Sequence, residues 1–394
     1  MNFSLFAAWQ IFVTVWLFIF LIFSLYNSRR FSKVFKKSFS GNRDSAPKIS
    51  VLIPARNEEF PIRRLVESLL KQDYPNYEII VLNDNSTDKT GEILDKLLKT
   101  SNGLLKVING SELPPGWVGK NWACHQLFKA ASGELLLFTD ADTWYEREAL
   151  SSSVNFLKEN SVDFFSVIPF HEMKTWGENV ALPFLHFQFV AYLPNELMMK
   201  SQNIKFSAAN GQFMFFKRSV YQAIGGHETV KNNIVEDIFL ARLLKTRGYK
   251  IALANAIDIV GCRMYRSFDE VFKGFSKNFF AAMKYNIFLM AAFLLHLVAL
   301  YIAPLFFLII ALFKNDFSIT SFWLPLAHLI MAGIIRYLVS VQFRMPRWQA
   351  LLQPASAFMT MLIGINSVRW AFSKRGSEWK GRTYLKSETI PDNF

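Results

Sequence analysis

Cysteine is nearly absent. The 394 residues hold two, Cys124 and Cys262, which excludes a disulfide framework and a cysteine-built metal cluster and fits a reducing compartment. Charge is absent from four long stretches: residues 1–28, 285–313, 317–335 and 348–368 contain no Asp, Glu, Lys or Arg. About 20 apolar residues cross a bilayer, so each run is long enough to do so. The nucleotide-binding loop G-x-x-x-x-G-K-[ST] is missing too, which argues against ATP hydrolysis of that kind. No internal repeat or low-complexity segment breaks the chain. What is plentiful is apolar and basic: 52% hydrophobic residues, 40 Phe and a net charge of +13.

The basic residues gather at the edges of the charge-free runs. Leu5–Tyr26 lacks the basic n-region and the small-residue cleavage site of a signal peptide, so it reads as an uncleaved anchor. Arg29, Arg30, Lys33, Lys36 and Lys37 follow it. The positive-inside rule puts that side, and the segment beyond it, in the cytoplasm. Anionic lipid accounts for such edge charge, so no nucleic acid partner is expected. The three C-terminal runs can each cross, although Pro304, Arg336 and Pro354 interrupt simple spans. Three crossings would leave the tail outside, yet its Lys374, Arg375, Lys380 and Arg382 favour the inside. One of the three is therefore expected to be re-entrant or interfacial. The expected layout is an N-terminal anchor over 1–28, a basic linker over 29–47, a globular domain over 48–280, membrane segments over 285–370 and a basic tail over 371–394.

The middle of the chain has a different pattern. Lys48–Pro54, Tyr77–Asn83, Leu104–Ile108 and Glu134–Thr139 read as apolar strands. Pro61–Lys71, Thr87–Lys99 and Lys120–Ala131 read as the helices between them, with Ser86 or Thr87 as the second helix's cap. Strands alternating with helices predict an α/β fold with a mostly parallel sheet. Ligands of such sheets bind at the carboxyl ends of the strands. Those ends are where the acids lie. Strand one runs into PARNEE (54–59), strand two into NDNSTD (83–88) and strand four into TDAD (139–142). One acidic turn is ordinary loop chemistry; three at consecutive strand ends call for a common ligand.

Asp140 and Asp142 stand one residue apart, so on an extended segment both carboxylates can face one side. Close carboxylates repel unless a cation lies near them. Hard oxygen ligands suit Mg²⁺ or Mn²⁺, which bind one or two carboxylates plus substrate phosphates. Taken alone, the pair reads better as an acidic turn leading to Glu146. In GWVGKNWACHQ (116–126), Lys120 opens a helix, where phosphate is favoured; the alternative is a solvated surface lysine. In NNIVEDIFL (232–240), Glu236 and Asp237 open an amphipathic helix. Either is a dipole-stabilising first-turn acid, or a general base if the other clusters are close.

Taken together and in order, these pieces resemble glycosyltransferase family 2, over roughly residues 48–278. PARNE, TDAD and IGGHETVKNNIVED resemble the family's nucleotide-edge, D-x-D and acceptor-side motifs. NDNSTD resembles its D-D-G-S-x-D, with Asn83 and Asn85 as departures. The resemblance implies a GT-A catalytic domain, here α/β with an N-terminal transmembrane anchor and C-terminal transmembrane helices. It implies that Pro54, Arg56 and Glu58 border the nucleotide, that Asp84 contacts the base and that Lys120 lies near the diphosphate or ribose. Asp140 and Asp142 would hold the sugar nucleotide, with Asp142 the more direct ligand of Mg²⁺ or Mn²⁺. Asp237 would be the catalytic base of an inverting transfer.

Within the family, GK-x-x-AC-x-Q (119–126), RMYRS (263–267), GFSKN (274–278) and EWKGRTY (378–384) are similar to the bacterial carotenoid glycosyltransferases of the diaponeurosporenoate and chlorobactene type. That implies a UDP-sugar donor, a membrane lipid acceptor and a place in the bacterial cell membrane. The Q-x-x-R-W of processive synthases is absent, which disfavours polymer synthesis. Ceramide- or sterol-type lipid glucosyltransferases, a polysaccharide synthase and a non-catalytic sugar-nucleotide-binding scaffold remain the rival readings. Ala181–Met199 is apolar but interrupted by Pro183 and Pro194, so it reads either as an interfacial segment or as core. His171, His186 and His227 are expected to be structural and no metal is assigned to them.

Overall fold

The computed structural model describes residues 5–373 and 377–384, and the chain forms two compact units. One comprises Ser32–Glu172, Glu196–Met264 and Lys374–Phe394 and holds the sheets. The strands in chain order are β1 Ile49–Ala55, β2 Tyr77–Asn83, β3 Leu105–Asn109, β4 Leu135–Phe138, β5 Thr143–Tyr145, β6 Phe164–Ile168, β7 Phe170–His171, β8 Met214–Lys217, β9 Ile251–Asn255, β10 Val260–Cys262, β11 Ser377–Trp379 and β12 Arg382–Tyr384. The main sheet has the order β3-β2-β1-β4-β8-β6-β9. β8 runs antiparallel to both its neighbours and the other pairs are parallel. The central strands are continuous Val, Ile, Leu and Phe runs because helices cover both faces. β5, β10 and β7 make a small second sheet, and β11 with β12 a hairpin.

The four strands expected from sequence are present within a residue or two of their predicted limits. The helix after β2 is a correction. It starts at Thr90, and neither Ser86 nor Thr87 caps it. Those residues serve the loop instead. The Thr87 N–H donates to Asn57 Oδ1 at 2.8 Å, and Ser86 Oγ accepts from the Asn57 N–H at 3.1 Å. Asp88 takes the first-turn role, accepting from the Thr90 N–H at 2.9 Å and from the Glu59 N–H at 3.0 Å. The polar residues of PARNEE and NDNSTD thus stitch the ends of β1 and β2 together. Asn85 has φ +50°, a left-handed conformation that Asn tolerates well among non-glycine residues. It therefore fills the glycine position of the family's motif without a new backbone.

The second unit comprises Met1–Phe31, Met173–Asn195 and Tyr265–Ser373 and is helical. Four of its helices, Leu5–Arg30, Ile287–Phe313, Ile319–Gln342 and Arg347–Phe372, are long and apolar enough to cross a membrane. At 1.5 Å per residue, a helix of about 26 residues reaches roughly 39 Å, more than the hydrocarbon thickness. Large side chains such as Phe18, Ile22, Phe306 and Phe313 face outward, where lipid would cover them. The helix Trp176–Ala191 carries the first part of the segment that reads from sequence as interface or core. Its Leu182, Phe184, Phe187 and Val190 are buried. Ser356 Oγ donates to the Val180 carbonyl at 2.6 Å, and Asn27 Nδ2 to the Val190 carbonyl at 2.9 Å. This helix is core to the unit.

Candidate active site

The strand ends place the acids. Asp84 follows β2 directly and is buried. Pro54 lies in β1, opposite Leu82 of β2. Arg56 leaves β1 and donates through Nη1 to the Asp84 carbonyl at 2.7 Å, so it braces the two loops on which the nucleotide-edge residues sit. Glu58 lies on the same loop, and burial pushes its carboxyl upward against the opposing charge of Lys380.

Asp140 follows β4, and Lys120 opens the helix Gly119–Ala130. The Lys120 ammonium sits 2.7 Å from Asp140 and 2.9 Å from Glu236. Burial works against its charge, but the two carboxylates outweigh that and hold it well above the ordinary lysine value. Gly211 lies against this group: a Cβ there would stand 2.9 Å from Lys120 Nζ. Its N–H donates to Asp237 at 2.9 Å. Asp237 also accepts from the Ile238 N–H at 2.8 Å. Four segments distant in sequence thus meet at Lys120, Asp140, Gly211 and Glu236–Asp237.

Asp142 and Asp237 are both pushed up to about 7. Burial is the main cause in each case; Asp140 and Glu58 add to it at Asp142, and Glu236 adds to it at Asp237. A carboxyl raised toward neutrality suits a group that takes a proton during reaction. Asp142 Oδ1 is buried with no hydrogen-bond partner. Among the described residues no three His, Cys, Asp or Glu side chains form a ready metal cage.

The structure brings Lys120, Asp140 and Asp237 together, and Arg56, Glu58 and Asp84 into a second group at β1 and β2. His171 and His227 are buried. Burial lowers them to about 4 and about 3, and they bond Gln212 and Tyr221.

The profile of glycosyl transferase family 2 matches residues 50–225. Over this stretch the chain is similar to the catalytic domain of that family. Two relatives, the 4,4'-diaponeurosporenoate glycosyltransferases of Staphylococcus aureus strains USA300 and MRSA252, are each 27% identical over 233 residues. The match covers 58% of this chain, and the chain spans about 60% of the length of those relatives. A mannosyltransferase from Pyrobaculum calidifontis, solved in complex with GDP-Man and Mn²⁺, superposes with a TM-score of 0.53 at 17% identity. That superposition covers 94% of this chain and 100% of the other, and it shows a shared GT-A fold.

Four further residues, Glu236, Gly211, Lys380 and Arg382, meet these groups. Glu236 reads from sequence as one of two acids opening a helix, yet it shares Lys120 with Asp140. Gly211 lies outside every motif; no local signal marks it. Lys380 and Arg382 read as part of a basic tail, but the hairpin β11–β12 belongs to the sheet unit.

Proposed function

We propose that this protein is an inverting hexosyltransferase that moves a sugar, most simply glucose, from a UDP-sugar to a membrane lipid, with a carotenoid or other terpenoid as acceptor. The observation that carries this reading is the meeting of Lys120, Asp140 and Asp237 at the carboxyl edge of a family 2 sheet. Arg56, Glu58 and Asp84 form the nucleotide end of the donor site, and Pro54 borders it. Asp237 holds its carboxylate toward Gly211 and takes the proton of an acceptor hydroxyl as the oxygen attacks the anomeric carbon. The bond from that carbon to the diphosphate breaks on the opposite face, so configuration inverts and the electrons leave with the diphosphate. A carboxyl acceptor is already ionised and needs no base. Lys120 keeps its charge beside the leaving oxygens and steadies Asp140.

Asp142, with one unpartnered buried oxygen, and Asp140 would hold Mg²⁺ or Mn²⁺. When bound, that ion supplies positive charge to the leaving group. The relatives named for a carotenoid acid and the apolar outer face of the four long helices support a lipid acceptor. The catalytic unit faces the cytoplasm in this reading, as the basic run after Leu5–Arg30 indicates. In this reading the hairpin, which belongs to the sheet unit, stays on the cytoplasmic side with it.

The test is sugar transfer in purified membranes. Radiolabelled UDP-glucose or GDP-mannose is added with Mn²⁺, and the label is followed into the organic phase. Label from UDP-glucose in a small terpenoid lipid is the expected result. Label in insoluble polymer would favour a synthase. Transfer only from GDP-mannose would overturn the UDP assignment.

A further inference from the structure

The hairpin β11–β12 brings its own charges to the donor carboxylates. Both terminal nitrogens of Arg382 bond Asp84, Nη1 to Oδ2 at 2.6 Å and Nη2 to Oδ1 at 2.9 Å. The Lys380 ammonium pairs with Glu58. Arg56, already bound to the Asp84 carbonyl, donates through Nε to the Lys380 carbonyl at 3.2 Å. The turn is thus tied by three separate contacts to the ends of β1 and β2, and Arg382 reaches across 298 positions of sequence to do so. It also reaches the diphosphate side. A Cβ on Gly119 would overlap the Arg382 guanidinium, so Arg382 lies over the first residue of the helix that carries Lys120.

Stability is a poor reason for this arrangement. The pairs are largely buried, with 17% of the Arg382 side chain and 7% of the Asp84 side chain exposed. The cost of desolvating such ions roughly cancels their attraction. Charge balance gives a better reason. Glu58, Asp84, Asp140 and Asp142 line the site, and Lys120 is already shared by Asp140 and Glu236. A nucleoside diphosphate adds further negative charge. Without more cations the site would repel its donor. A guanidinium fork matches phosphate as well as carboxylate, so the two can exchange at little geometric cost.

We propose that Lys380 and Arg382 are donor-binding residues whose cations, paired with Glu58 and Asp84, exchange onto the diphosphate of the sugar nucleotide. This rests on the reading of Arg56, Glu58, Asp84 and Lys120 as the donor site. The exchange frees Asp84 for the base and Glu58 for the ribose or metal side. It also explains why a glycine stands before Lys120: the hairpin needs the space that a side chain would fill.

The experiment is calorimetric binding of UDP, UMP and uridine, with Mn²⁺, to the full-length protein in detergent and to its Arg382→Gln and Lys380→Gln variants. The expected result is a loss of UDP affinity of about tenfold or more in each variant, the size of one charge-assisted contact. Uridine affinity should be unchanged or higher, since Asp84 is released. Arg382→Lys keeps the charge but loses the fork and should fall between. Gly119→Ala, with its collision against Arg382, should mimic Arg382→Gln. UDP affinity that rises in Arg382→Gln, together with faster turnover, would make the hairpin a plug and overturn the proposal. Equal losses for UDP and uridine, with a lower Tm, would overturn it in favour of a structural brace. If the unmodified protein binds none of UDP, UMP and uridine, the donor-site reading itself falls, a result that no hairpin variant can produce.

Discussion

Two acid-bearing edges of the same sheet are held in opposite ways. At β1 and β2, Glu58 and Asp84 are each matched by a cation, Lys380 and Arg382, from the far end of the chain. At β4 and the helix Glu236–Thr246, Asp142 and Asp237 have no ion-pair partner among the described residues, and burial lifts both to about 7. The first edge is balanced by charges that can swap a carboxylate for a phosphate. At the second, Lys120 offsets Asp140 and Glu236, while Asp142 and Asp237 keep raised carboxyls suited to taking a cation or a proton. A sugar-nucleotide transferase needs both kinds of edge: one to receive an anion, the other to manage a metal and a hydroxyl.

The sharpest way to break this contrast is at Asp237. Asp237→Asn keeps the side chain's shape and one acceptor oxygen, so it can hold the N–H of Gly211 or of Ile238 but not both, and it cannot accept a proton. Turnover should fall about 10²- to 10⁴-fold, the usual worth of a general base, with UDP affinity little changed. Single-turnover kinetics beside UDP calorimetry would show this, and near-normal turnover would remove Asp237 as the base.

Next is Asp142. Asp142→Ala removes the unpartnered oxygen, so the gain in UDP affinity on adding Mn²⁺ should vanish. A Mn²⁺ titration that still raises UDP affinity in the variant would place the metal elsewhere.

pH gives a smaller effect with a definite sign. The folded Asp237 carboxyl is raised from 3.8 to about 7, so the base is protonated below that range and free above it. Transfer to a hydroxyl acceptor should climb with pH and level off above about 7, and a carboxylate acceptor should lack this limb. Linkage predicts the opposite trend for the ligand-free protein. A raised carboxyl stabilises the fold below the unfolded value near 3.8, and that contribution is lost as pH rises toward about 7. Thermal unfolding at several pH values, with and without Mn²⁺, separates the two trends.

The smallest effect concerns the first edge's backbone. Asn85→Gly should change stability by no more than about 0.5 kcal/mol, because both residues accept φ +50°. Asn85→Val should cost at least about 1 kcal/mol, since a β-branched side chain resists that conformation. Equal Tm values for the two variants would show that the loop does not depend on this angle.

Much of the domain is legible in the sequence. The buried strands are continuous apolar runs, and their ends announce themselves by Pro, Asn and Asp, because a chain leaving a sheet needs turn formers and local hydrogen-bond acceptors. Hence β1, β2 and β4 can be read together with the acids that follow them. Helix limits are less legible: NDNSTDKT offers several cap candidates, and the contacts with Asn57 and Glu59 across the gap decide that the helix waits until Thr90. The segment around Trp176–Ala191 cannot be resolved from its pattern, since a buried helix and an interfacial one share the same apolar composition.

Sequence by itself determined the alternation of strand and helix, the charge-free runs that fit a bilayer, and the set of acids at the strand ends. These follow from local periodicity and from side-chain chemistry, which the chain carries wherever it goes. Only the tertiary structure decided which charges meet. Lys120 is shared between Asp140 and Glu236, Gly211 holds Asp237, and Arg382 lies on Asp84 over Gly119. Those pairings join residues tens to hundreds of positions apart. Their energies depend on burial and on distances of a few ångströms, and no local pattern encodes either.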